Sequence, residues 1–206
     1  MKRALFGLLA AWGLASCIST GTIEPRQYFV LEDAGRAAAP RADRLDSTLL
    51  VAGNASDAFY ESRSLAYSRE PGQRAYYQFA SWTDQPARRL ALLVERRLEA
   101  RASFRSVSPI DSGAGGDLLL TVTVDEILHD DADPPGTARI EVTAELLGRR
   151  GRSIVDRRRF VATAPVAAED APGAVAAMNR AATEVVDAIV AWAEDAAARL
   201  PARSPR

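Results

Sequence analysis

The stretch "DLLLTVTVDEIL", residues 117–128, decides the fold. Leu118, Leu120, Val122 and Val124 alternate with Thr121, Thr123 and Asp125, a period of two that only extended chain can use to put all its apolar residues on one side. "ARIEVTAELL", residues 138–147, repeats the pattern with Ile140, Val142, Ala144 and Leu146 set against Arg139, Glu141, Thr143 and Glu145. The polar "HDDADPPG" between them is read as an exposed acidic turn, so the two runs are expected to be antiparallel neighbours with one face in water. "SIVDRRRFVAT", residues 153–163, follows as a third strand. Its Arg157, Arg158 and Arg159 mark either an edge strand blunted by charge or a functional basic face, and edge protection is the commoner use.

On the C-terminal side the period changes. Between Pro172 and Leu200, Val175, Met178, Ala182, Val185, Ile189, Trp192 and Ala196 follow a 3,4 spacing, with Asp170 as the candidate cap. This predicts a long helix, and its stripe is expected to pack on the sheet rather than in a coiled coil. On the N-terminal side, Thr83-Asp84-Gln85-Pro86 signals a helix start capped by Asp or Thr. Ala87, Leu90, Ala91, Val94 and Leu98 then share one face, opposite Arg88, Arg89, Glu95 and Arg96. "SFRSV" (103–107) is expected to be a short strand and "DSGAGG" a loop. "SLAYSREPGQRAYYQFASW" reads as a hairpin turning on Pro71-Gly72. "TLLVAG" (48–53) and "YFVL" (28–31) are further strands, joined by the exposed connection "EDAGRAAAPRADRLDS".

Composition narrows the chemistry. Lys2 is the only lysine and His129 the only histidine, so a phosphate-cradling loop has no lysine after the first residues, and no glycine-rich nucleotide fingerprint follows a strand. A Ser-His-Asp hydrolase would need His129, yet the chain has no G-x-S-x-G elbow. His129, Asp130, Asp131 and Asp133 lack the glycine and distal glutamate of a calcium loop, so no metal site is assigned. No catalytic residue is assigned either. In "AYYQFASW", Tyr76, Tyr77, Phe79 and Trp82 are candidates for partner binding, because rings left outside a core anchor interfaces well. Alternation places Tyr77 and Phe79 together, opposite Tyr76 and Gln78. The competing reading packs these rings under the helix that follows.

The start of the chain bears on location. Met1, Lys2 and Arg3 precede an apolar run from Ala4 to Leu14, which is too short to span a bilayer and has the layout of a cleaved signal. The only cysteine, Cys17, follows Leu14-Ala15-Ser16, a resemblance to a bacterial lipobox. It implies cleavage after residue 16, with diacylglycerol and an N-acyl chain, palmitate among the candidates, carried on Cys17 as the only added groups and no cofactor. Several acyl chains give the stable anchoring that one does not. Losing residues 1–16 removes Lys2 and Arg3 and no acid, moving the net charge from −1 to −3, which argues against a nucleic-acid partner. The next residue is Ile18 and not the aspartate that resembles an inner-membrane retention signal, which points to the outer membrane and its periplasmic face.

The lipobox, "YFVL", the stretch from Tyr60 to Val107, the strand pair and the alanine-rich last helix together resemble the ABC-type transport auxiliary lipoprotein family. The resemblance covers nearly the whole mature chain. It implies an α+β fold, a single domain with a mixed, mainly antiparallel sheet covered on one face by two amphipathic helices. The expected organisation is a signal peptide over 1–16, a lipidated tether over 17–27, the domain over 28–200 and a tail over 201–206. It further implies a non-enzymatic component of a lipid transport system, partnered by an ABC transporter and an MCE-domain (mammalian cell entry) substrate-binding protein. Phospholipid contact and a ring-forming homo-oligomer stay open. The alternative client is lipopolysaccharide or outer-membrane protein assembly.

Overall fold

The computed structural model describes residues 25–35, 39–148 and 153–201; Cys17, the signal and most of the tether and tail lie outside them. Among the described residues the chain forms β1 (Gln27–Phe29), β2 (Leu45–Ala55), α1 (Ala58–Glu61), β3 (Ser64–Ser68), β4 (Ala75–Trp82), α2 (Pro86–Ala100), β5 (Phe104–Pro109), a 3-10 turn (Ile110–Ser112), β6 (Leu118–Asp130), β7 (Thr137–Gly148), β8 (Ser153–Pro165) and α3 (Ala171–Ala198).

All eight strands join one mixed sheet. Its two longest ladders, β6 with β7 and β7 with β8, are antiparallel, as the alternating sequence predicts. β6 is the branch point. Along one edge its first half pairs in parallel with β2 (Leu49↔Leu118 through Ala55↔Val124), while its far end pairs in parallel with β3 (Tyr67↔His129). The sheet therefore forks into one arm of β2 and β5 and a second arm of β3, β4 and β1.

The apolar sides of β6 and β7 carry the core. Leu120, Val122, Val124, Ile140, Val142, Ala144 and Leu146 have no solvent exposure, and α2 and α3 lie over them in contact with each other. Every residue of the predicted α3 stripe is buried against the sheet, so the packing reading holds over the coiled coil. The Asp170 carboxylate caps α3 by accepting from the Gly173 N–H at 2.7 Å. Neither Thr83 nor Asp84 caps α2. Its N-cap is Gln85, without a side-chain bond, because the Thr83 N–H is drawn to the Phe29 carbonyl of β1 at 2.8 Å and still belongs to the sheet. The close approach of α2 to β2 needs a glycine, since a Cβ on Gly53 would sit 2.6 Å from the Ala87 carbonyl oxygen.

In its described residues, 30–35 and 39–44, the connection after β1 is tied down as a strap. Leu31 is buried, the Glu32 N–H donates to Asn179 Oδ1 and the Ala34 N–H to Thr183 Oγ1 on α3. Asp33 and Asp187 both pair with Arg97 of α2. Further on, Arg41 reaches the carboxylate of Glu194 at 3.3 Å. Glu194 is 3 % exposed and also accepts from Arg101 (2.6 and 2.9 Å) and from the Ser103 hydroxyl. Burial pushes its carboxyl upward, but the hydrogen bonds from Arg101 and Ser103, with the charges of Arg101 and Arg41, outweigh burial and hold it below the usual glutamate value. Strap, α2 and α3 thus meet on one buried carboxylate.

The outer face is an ionic lattice. Glu126 bridges Arg74 (2.5 Å) and Arg139 (2.6 Å), and Glu141 bridges Arg139 and Arg159. β8 pairs only with β7 and is an edge strand. Its arginines are spent at home: Arg157 on Glu145, Arg159 on Glu141, and Arg158 over the Phe160 ring.

Candidate interaction surfaces

The β3–β4 hairpin turns where predicted, with Gly72 at φ +79° and the Gln73 N–H bonded to the Glu70 carbonyl, as a Pro-Gly turn requires. Its ladder then slips. Ser64 lies opposite Ser81, but Ala66 lies opposite Tyr76, where a regular register would put Phe79. The surplus residues of β4 form a bulge, which breaks the alternation expected of "AYYQFASW" and re-aims its rings.

The four candidate rings are consequently divided. Trp82 is buried in the core. Tyr77 turns inward to His129, whereas Phe79 stays 39 % exposed, so the two do not share an environment as alternation predicts. Tyr76 is exposed and stacks on Phe59 of α1, rings 4.2 Å apart, with its hydroxyl donating to the Phe59 carbonyl. Sequence reading missed Phe59 because nothing local ties it to Tyr76. It also missed Tyr28, the most exposed large ring among the described residues at 65 %, although the alternation of Tyr28 with Phe29 in β1 carried that signal.

His129 lies at the end of β6, fully buried, and not in a hairpin loop. The Pro135 carbonyl, 2.8 Å from Nε2, can only accept, so Nε2 carries the proton and Nδ1 accepts from the Tyr77 hydroxyl at 2.7 Å. Burial, reinforced by the charge of Asp131, pushes the Tyr77 hydroxyl up to about 12 and keeps it a donor. Asp131 is not in a solvated turn either. It is 5 % exposed, its backbone N–H bonds the Ser68 carbonyl and its Oδ2 accepts from Arg69 at 3.1 Å, while Oδ1 has no hydrogen-bond partner. Both ring nitrogens of His129 are occupied structurally, by the Tyr77 hydroxyl and the Pro135 carbonyl.

Beside the fork, a cleft of about 780 Å³ opens between the end of β2, the α1–β3 link, the first turns of α2 and the 3-10 turn. Arg63, Arg88, Asp84, Glu95 and Asp111 give it mixed charge around the exposed Ile110. Among the described residues no group of three or more His, Cys, Asp or Glu could hold a metal ion, and no helix is long and apolar enough to cross a membrane.

These surfaces belong to a two-layer α+β domain with a forked mixed sheet and two helices on one face. The chain belongs to the ABC-type transport auxiliary lipoprotein component family, whose model matches residues 29–190. Protein XCC0632 of Xanthomonas campestris shares the fold, with TM-score 0.75 and 23 % identity over 84 % of this chain and 98 % of that one. An uncharacterized protein matches at TM-score 0.63 with 14 % identity, over 82 % of this chain and 99 % of the other. The hypothetical protein CT253 of Chlamydia trachomatis matches at TM-score 0.51 with 11 % identity, over 74 % and 98 %. No curated protein matches the chain.

Proposed function

We infer that this chain is a non-enzymatic, lipid-anchored component of an ABC/MCE-type system that moves lipid between envelope membranes. The family match across residues 29–190 carries the reading. Leu14-Ala15-Ser16-Cys17 supports acylation of Cys17, and Ile18 supports attachment to the outer membrane, with the domain facing the periplasm. The role is docking. The Tyr76–Phe59 stack is the contact offered to the MCE-domain protein or the transporter, since Tyr77 and Trp82 are committed to the interior and a flat pair of rings loses little entropy on binding.

The test is the intact mass of membrane-extracted protein beside its Cys17→Ala variant, followed by crosslinked capture from the same membranes. Acyl chains on the native protein alone, with an MCE-domain protein captured, support the reading. Capture of an outer-membrane β-barrel would move the client to envelope assembly, and an unmodified, soluble protein would end the lipoprotein assignment.

A further inference from the structure

The described chain starts at the outermost strand of the forked arm. Arg26, just before β1, lies along β4, its guanidinium donating to Ser81 Oγ at 2.8 Å and to the Gln78 carbonyl at 3.0 Å. It brackets Phe79, and two residues later β1 presents Tyr28. The β1 edge thus offers a cation and two exposed rings where the chain leaves for its N-terminus. Aromatic rings with flanking arginine are the side chains that settle at a membrane–water interface.

Chain length decides what this edge can meet. Pro25 is eight residues from Cys17. At the 3.3–3.6 Å of extended chain per residue, that leash reaches at most about 28 Å. A lipid on Cys17 therefore ties the β1 end nearest the bilayer. β8 lies five strand spacings from β1, about 24 Å, within the same reach, so the side chains at each edge decide which one rests on the lipid. β1 and β8 are the two extreme strands of the path through β4, β3, β6 and β7.

We propose that Arg26, Tyr28 and Phe79 form a membrane-resting surface, which seats the domain on the phospholipid headgroups beside its own anchor with the β8 edge held away. The proposal rests on acylation of Cys17. Seating of this kind fixes the domain's orientation, which an acyl group on Cys17 does not fix by itself.

The test uses full-length, membrane-processed protein carrying Tyr28→Trp, reconstituted in phosphatidylethanolamine–phosphatidylglycerol vesicles with and without brominated acyl chains. An Ile154→Trp variant, at a position 59 % exposed on β8, reports the opposite edge. The native Trp82 and Trp192 are buried and give a constant background. Flotation and intact mass are recorded on both variants. The expected result is co-flotation of both, with the added emission of Tyr28→Trp reduced about twofold by brominated lipid and that of Ile154→Trp unchanged. Acylated, co-floating protein with equal quenching at the two positions would overturn the seating alone. Protein without acyl mass that stays off the vesicles would overturn the anchor reading and the seating with it.

Discussion

The half of the sheet under α3 and the arm of β1, β4 and β3 use similar side chains and reach opposite outcomes. Beneath α3, β6, β7 and β8 run in ladders of twelve or so residues, with one register shift in each; the inward residues of β6 and β7 are buried, and so are Phe160, Ala162 and Ala164 of β8. In the arm the strands are three to eight residues long and the β3–β4 ladder slips, which leaves Tyr28, Tyr76 and Phe79 exposed. Long matched strands beside a long helix can bury most of the apolar side they turn to it. Short strands with a bulge cannot, and the rings they leave out are what a docking protein has to offer.

Substitutions should separate the two regions by size of effect. Leu120→Ala, under the helices with no exposure, is expected to cost about 3–4 kcal/mol in chemical denaturation. A loss below 1 kcal/mol would mean that the covered half does not dominate stability.

Glu194→Gln is expected to cost about 2 kcal/mol at neutral pH, because Arg101 and Arg41 lose a buried partner. The sign of its pH dependence follows from the depressed carboxyl. Its contribution is complete above the ordinary value of 4.5 and is lost as the pH falls through the lower folded value. Denaturation curves of native protein and variant should therefore converge on acidification; a constant gap would contradict the network.

Tyr77→Phe, at the root of the arm, is expected to cost about 1–2 kcal/mol by orphaning Nδ1 of the buried His129. Tyr77, raised from 10.0 to about 12, stabilises below the first value and loses that contribution as the pH climbs through the second. Burial raises Tyr60 as well, so ultraviolet titration should show late-ionising tyrosines, with one fewer in the variant.

The smallest stability effect is expected from Tyr76→Ser, within about 0.5–1 kcal/mol, since its ring is exposed and what it loses is the stack on Phe59 and an exposed hydrogen bond to the Phe59 carbonyl. The same change should weaken crosslinked capture of the partner several-fold. Undiminished capture would remove Tyr76 from the interface.

Legibility followed the same division. Alternation in residues 117–128 and 138–147 and the stripe from Val175 to Ala196 made the core half readable, since periods of 2 and 3.6 state outright which side is buried. The aromatic stretch was readable as a candidate surface, but not the sorting of its rings, because a bulge resets the alternation. The strap looked like an exposed loop for a related reason. Its partners Asn179, Thr183 and Glu194 lie about 150 residues away in sequence.

The sequence by itself determined the strands and helices that carry a strong period, the edge character of β8, the cap at Asp170 and the class of protein, since each depends on residues close together in the chain. Only the tertiary structure decided the fork at β6, the burial of His129 and Asp131, the convergence of strap and helices on Glu194, and which rings reach solvent. Those outcomes depend on which distant segment arrives to cover a group, and covering is a property of three-dimensional packing that no local pattern encodes.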